Sequence, residues 1–217
     1  RLVKRYRISA TLPASPPTRT LVSQCCCGRL ASMFLSTSQG CAHGIYQSPL
    51  GSLLLVASSN GLQRLAFDSL CPPPSPEYLP PCSRSLEFLH DGVKQLEEYF
   101  SGRRHRFDLP VDVTGTAFQR EVWAALLDIP LGLTASYQQM AICIGRPRAI
   151  RAVGTACRHN PLPVVLPCHR VLASNGSLAG FSGGIAKKQW LLQHEKRDLP
   201  EKPLGGSQLW MKQSLLP

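Results

Sequence analysis

Two short segments of this chain open with the same helix-starting device, and they restrict its second half to a helical fold. In Thr116-Ala117-Phe118-Gln119, and again in Ser136-Tyr137-Gln138-Gln139, a hydroxyl residue is followed three positions later by glutamine. Such a pair satisfies two orphan backbone groups reciprocally at a helix N-terminus. Apolar Phe118, Val122 and Leu126 follow the first, and Met140 and Ile144 the second, at helical spacing. Gly145-Arg146-Pro147 breaks the chain, and Pro147 suits the first turn of a new helix predicted to run to about Arg158. Two short helices joined by a glycine-containing turn read as a helix-turn-helix, or equally as an ordinary helical hairpin.

The first half has a different pattern. Gly51 to Ala57 reads as a strand, Ser58-Ser59-Asn60-Gly61 as a turn, and Leu62 to Phe67 as the returning strand of a hairpin. A proline-rich loop spans Cys71 to Pro81. Leu86, Leu89, Val93, Leu96 and Phe100 then mark one apolar helix face, with Gly102 as its stop. These signals predict a small domain over residues 41–112 and a mainly helical one over 113–199. Ahead of them, residues 1–40 carry Arg1, Lys4, Arg5, Arg7, Arg19 and Arg29 and no acid. That composition reads as a basic disordered arm, and is shared by organelle-targeting segments and by non-native sequence. Residues 200–217 read as a tail.

The 217 residues are 43% hydrophobic and 17% charged, which fits a folded chain and not a disordered one. No apolar run approaches the roughly 18 residues of a membrane helix, so no membrane partner is expected. A net charge of +11 and pI of about 9.5 favour a polyanion, of which nucleic acid is the commonest. The charge is uneven: no Asp or Glu lies between Asp128 and Glu195, whereas Arg146, Arg148, Arg151, Arg158, Arg170, Lys187 and Lys188 do. A stretch without acids is what proximity to phosphate demands. The nine cysteines show no secreted-scaffold spacing and read as mostly free thiols.

One cysteine stands out, in Leu166-Pro167-Cys168-His169-Arg170. A nucleophilic thiol must be ionised, and a histidine backed by a carboxylate is one way to take its proton. Glu195 is the first acid after the motif. His169 is adjacent in sequence, so contact with Cys168 requires a bridging water or a local bend. Taken alone, a Cys-His pair is more often a buried structural cysteine. Upstream, Pro147 to Arg158 is rich in Ala and Gly, letting a helix backbone come close to a neighbouring helix or a DNA groove. Arg151 stands among these small residues, placed to fill the space a displaced base leaves.

Together these residues resemble the O6-alkylguanine-DNA alkyltransferases (methylated-DNA–protein-cysteine methyltransferases). The resemblance is dense from about Thr114 to Glu195. It rests on Gly115-Thr116-Ala117-Phe118-Gln119, Ser136-Tyr137-Gln138-Gln139, Arg151-Ala152-Val153-Gly154, Asn160-Pro161, Pro167-Cys168-His169-Arg170-Val171 and Ser182-Gly183-Gly184. Ser48-Pro49-Leu50-Gly51 extends it more weakly into the first domain, and Leu204-Gly205-Gly206-Ser207 looks like the tail of vertebrate members. It implies a ribonuclease-H-like α/β N-terminal domain with an antiparallel sheet, then a mainly α domain with a helix-turn-helix.

It also implies roles. Cys168 would accept the alkyl group in a single turnover, with no cofactor. His169 and Glu195 would relay its proton through water, Asn160 would brace the turn, and Tyr137 would hydrogen-bond the flipped guanine. Arg151, Ala152, Gly154, Thr116 and Arg158 would face double-stranded DNA through the minor groove, with Arg151 as the intercalating finger. Val171, Phe181 and Ser182 would line the base pocket. The implied substrate is chiefly O6-methylguanine, with O4-alkylthymine as a minor one, and the implied worker is a monomer in the nucleus, with mitochondria left open by the basic arm. Two departures mark this chain: Phe181 replaces the Tyr of many members, and Ala179 replaces the Gly of vertebrate relatives, implying a tighter pocket. The zinc site of some vertebrate members is not carried over, because Ser58 and Gln63 occupy two of its ligand positions. Three rival readings differ from this one. A lesion-binding protein of the alkyltransferase-like kind lacks the cysteine. A cysteine hydrolase needs a histidine across a cleft. A transcriptional helix-turn-helix protein would tolerate Cys168→Ala.

Overall fold

The computed structural model describes residues 40–67, 81–178 and 180–197. The basic arm over 1–39, most of the proline-rich loop, Ala179 and the tail with Leu204-Gly205-Gly206-Ser207 lie outside the described residues. The chain divides into two compact units. Described residues up to Leu96 form the first with Asp108–Thr114, and Glu97–Phe107 joins Gly115 onward in the second.

In the first unit three strands, β1 (Ala42–Ser48), β2 (Gly51–Ser58) and β3 (Gly61–Phe67), form an antiparallel sheet in the order β1-β2-β3. The predicted hairpin is β2–β3, closed at Ser58↔Gly61 with a bulge between Val56 and Ala57. Alternation puts Leu53, Leu55 and Ala57 of β2 on the buried face. Helix α1 (Ser83–Phe100) covers that face. Its Gly92 lies so close to Leu62 and Leu55 that an added Cβ would meet them at 3.2 and 3.3 Å. Gly61 is needed for a different reason: at φ +150 its missing Cβ leaves room for the Pro110 carbonyl. There the 110–112 segment docks on β3, with Leu62 N donating to Pro110 O (2.9 Å) and Asp112 N to Leu62 O (2.8 Å).

The second unit is mainly helical. It holds α2 (Ala117–Leu126), α3 (Tyr137–Cys143), α4 (Ile150–Arg158) and α5 (Ile185–Arg197). Both predicted capping boxes form, at Thr116/Gln119 and Ser136/Gln139. Helix α4 starts three residues later than the sequence suggested. Gly145 takes φ +70, Ala149 N bonds back to Arg146 O (2.9 Å), and residues 147–149 are used as a turn. A two-stranded parallel pair, β4 (Ala135–Ser136) with β5 (Val171–Leu172), escaped the sequence reading. At two residues each, such strands carry no periodicity. The core packs Val122, Trp123 and Leu126 of α2 against Val153 and Ala156 of α4, and the Trp123 indole donates to Ala156 O (2.9 Å). Among the described residues no helix is long and apolar enough to cross a membrane.

Candidate active site and nucleic-acid interface

Asn160 builds the turn that delivers Cys168. After α4 the chain runs irregularly, and every residue from Leu162 to Val171 is buried. Asn160 Oδ1 accepts from Leu162 N (3.0 Å), while Nδ2 donates to Leu166 O (2.7 Å) and to Cys168 Sγ (3.0 Å). One side chain thus ties both ends of the turn and the thiol. Within it Val164 has φ 77, a conformation a β-branched residue keeps only where its surroundings over-determine it. Cys168 opens a single 3-10 turn, Cys168–Arg170, and is 4% exposed.

Glu195, on α5, is 1% exposed and anchors the other side of that turn. Its Oε1 accepts from His169 Nε2 (2.8 Å) and Arg170 Nη2 (2.9 Å), and its Oε2 from Arg170 Nε (2.9 Å). Arg170 Nη1 also donates to Ile129 O (2.6 Å). The hydrogen bonds and positive charge of His169 and Arg170 hold the Glu195 carboxyl far below the usual carboxylate range, against the opposing effect of burial. Burial pushes the His169 imidazole below its ordinary value of 6.5, against the pull of Glu195. The resting pair is therefore neutral imidazole on carboxylate, with the proton on Nε2. The other nitrogen, Nδ1, is buried without a hydrogen-bond partner among the described residues, and it carries the free lone pair.

The thiol is not ionised at rest. Burial pushes Cys168 above the ordinary cysteine value, partly offset by the Asn160 hydrogen bond and the charge of Lys188. Lys188 is wholly buried, with Nζ donating to Val171 O (2.6 Å) and within electrostatic reach of Cys168 and Cys157. Tyr137 stands at the start of α3, its hydroxyl pushed up to about 12 by burial and by the neighbouring Cys157 and Cys168. At neutral pH it is a donor. The structure thus brings Cys168, His169, Glu195, Asn160 and Tyr137 into one unit, as the sequence suggested. Val171 is 0% exposed, and its carbonyl accepts from Lys188 Nζ. Phe181 stands edge-on to His169 at 6.4 Å, and Ser182 Oγ is buried without a partner among the described residues.

Helix α4 has two faces. Val153, Ala156 and Cys157 are buried, whereas Arg151, Ala152, Thr155 and Arg158 are exposed. Gly154 faces Tyr137, whose ring an added Cβ would meet at 3.8 Å. Arg146 and Arg148 are exposed too, and Arg146 pairs with Glu121 (3.0 Å). Thr116 is exposed, with its hydroxyl accepting from Gln119 N in the cap. Two members of the basic stretch do not face solvent: Lys188 and Arg170 belong to the buried site. The signal for Lys188 was its spacing from Leu191 and Glu195, which places all three on one face of α5. Tyr99, which also donates to Glu195, had no such signal.

The zinc positions do not fit a metal. Ser58 Oγ and Gln63 Nε2 both donate to Asp112 Oδ2 (2.5 and 3.1 Å), and no group of three or more His, Cys, Asp or Glu able to hold a metal occurs among the described residues.

A sheet-and-helix unit followed by a helical unit, with a buried thiol next to a His–Glu pair and an exposed arginine-bearing helix face, defines a class: a two-unit protein with a buried cysteine site and a basic surface. Comparison with known proteins makes the assignment specific. Residues 42–113 match the 6-O-methylguanine DNA methyltransferase ribonuclease-like domain, and residues 117–197 match its DNA binding domain. A methylated-DNA–protein-cysteine methyltransferase of Methanosarcina barkeri is 41% identical over 157 residues, covering 72% of this chain and 98% of the relative. The same-named protein of Mycobacterium tuberculosis is 42% identical over 153 residues, covering 70% and 91%. The crystal structure of the M. tuberculosis O6-methylguanine methyltransferase superposes with a TM-score of 0.65 at 40% identity, covering 75% of this chain and 96% of that one. M. tuberculosis OGT in complex with DNA gives 0.63 at 40% identity, covering 72% and 94%. The chain belongs to the methylated-DNA–protein-cysteine methyltransferase family.

Proposed function

We propose that this chain repairs O6-alkylguanine in DNA directly, moving the alkyl group, chiefly methyl, onto Cys168 and restoring guanine. The observation that carries the reading is the cluster around Cys168. A thiol tied by Asn160 neighbours a histidine whose far nitrogen is fixed on a buried carboxylate.

The Cys168 proton passes to His169 Nδ1 through a bridging water, and Glu195 stabilises the imidazolium. The thiolate attacks the saturated carbon on O6. A C–S bond forms, the C–O bond breaks, and its electron pair leaves with guanine as an anion that then takes a proton. Tyr137, still protonated at neutral pH, donates to the flipped base and eases that build-up of charge. The product is a thioether, which water does not cleave, so each molecule acts once and no cofactor takes part.

The approach to DNA is read from α4. Its exposed face lies along the minor groove, and Arg151 enters the stack as the target nucleotide swings out into the pocket of Val171, Phe181 and Ser182. One protein molecule serves one lesion, as a monomer. Nuclear residence rests on the substrate alone, and imaging of the tagged full chain checks it.

The deciding experiment is a single turnover on a duplex carrying labelled O6-methylguanine, followed by intact-protein mass. Wild type is expected to gain one methyl and Cys168→Ala none. Tight lesion binding by both without transfer would replace this reading with that of a lesion sensor.

A further inference from the structure

We propose that Tyr99 is a positioning residue of the alkyl-transfer site, holding Glu195 by Oε1 and setting how strongly that carboxylate supports His169 as a base. The inference rests on the reading above, in which His169 takes the Cys168 proton.

Tyr99 lies in the last turn of α1, within the 97–107 segment that belongs to the second unit. Its hydroxyl donates to Glu195 Oε1 at 2.9 Å, and the residue is 2% exposed. The ring is held from several sides. Phe107 stands at 5.4 Å, Phe100 at 5.2 Å and His194 at 5.4 Å, and His194 Nε2 bonds the Tyr99 carbonyl at 2.9 Å. His194 in turn stacks on Trp190 at 4.9 Å. The phenol therefore cannot swing away from the carboxylate without disturbing that cluster.

Oε1 has two in-plane lone pairs and receives three donors, from His169 Nε2, Arg170 Nη2 and Tyr99. Oε2 takes Arg170 Nε and, at 3.5 Å, Gly132 N. Donors on a shared oxygen compete for the same electron density. Each hydrogen bond from Tyr99 weakens the one to His169, and with it the stabilisation of imidazolium. The other charged or titratable groups facing the pair are Arg170 and Lys188, both of which oppose imidazolium, and Cys168 itself. Arg170 and Lys188 act on His169 with or without Tyr99. The Tyr99 phenol is itself uncharged, so its removal alters the pair without removing a charge.

The test is the pH profile of single-turnover methyl transfer by the full chain, wild type against Tyr99→Phe, with the ring nitrogens of His169 followed by NMR in the same samples. Without Tyr99 the carboxylate supports imidazolium more strongly, so the acid limb moves to higher pH. A shift of half a unit to one unit makes transfer about three- to tenfold slower at a fixed pH on that limb, with the plateau unchanged. A lower plateau with an unmoved limb would mean a merely structural role and would overturn the proposal, as would no change at all. Should Tyr99→Phe not fold, ring-fluorinated tyrosine at position 99 keeps the shape and strengthens the donor. It is then expected to move the limb the other way, and an unmoved limb counts against the proposal. If wild type itself transfers nothing, the repair reading fails, while the His169 titration still decides whether Tyr99 is coupled to it.

Discussion

Glu195 and His169 make the fold sensitive to acid in a direction that can be worked out. His169 is held below its ordinary 6.5 in the folded chain, so the unfolded chain binds more protons once the pH falls below that value. Glu195 is held below its ordinary 4.5, and the same inequality applies from there downward. Both contributions are fully present above about pH 6.5, and both are lost on acidification, His169 first. Thermal unfolding followed from about pH 8 to about pH 2 is expected to show Tm falling in that order. Glu195→Gln leaves the Arg170 guanidinium buried without its counter-charge, and a loss of roughly 3–5 kcal/mol is expected in denaturant unfolding. The lower part of the acid-induced decline should vanish with it.

Helix α4 presents a buried face and an exposed face. Its buried residues pack on α2 and α3, whereas Arg151 lies on the exposed face. Arg151→Ala is therefore expected to leave the unfolding midpoint unchanged. On duplex substrate it should slow transfer by about ten- to hundredfold, because unstacking a base costs a few kcal/mol and the wedge offsets part of it. Transfer from the free base analogue O6-benzylguanine needs no flipping and should proceed at the wild-type rate. An equal loss on both substrates would place Arg151 in the chemistry instead. Sequence placed Pro147 inside the helix, but the left-handed Gly145 spends three more residues on the turn before the helix sets off.

Over the whole molecule, a charge of +11 makes DNA binding depend on salt. Each neutralised phosphate contributes a slope of about −0.9 in log affinity against log salt. Three such contacts from exposed arginines give about −2.7, a roughly fortyfold loss for a fourfold rise in salt. Affinity measured by fluorescence polarisation at two or more salt concentrations checks it, and a slope near zero would remove the basic face from the interface. The division of the molecule cuts through α1: residues up to Leu96 pack with the sheet, and Glu97–Phe107 packs with the helical unit. No composition change marks that point, since one continuous helix crosses it.

Much of the chain was legible beforehand because the signals were local. Capping boxes, a two-residue hairpin turn and apolar spacing act within a few residues, so α2, α3, the β2–β3 hairpin and most of α1 could be placed from the sequence. Cys168, His169 and Asn160 were legible only through the family resemblance, because a Cys-His pair by itself reads as a structural cysteine. What the sequence alone could not decide was which buried polar groups meet. Tyr99 and Glu195 are 96 residues apart, and Lys188 reads as one more surface base until α5 turns it inward. Those meetings depend on how helices pack and on which charges lose their water, and tertiary structure alone determines both.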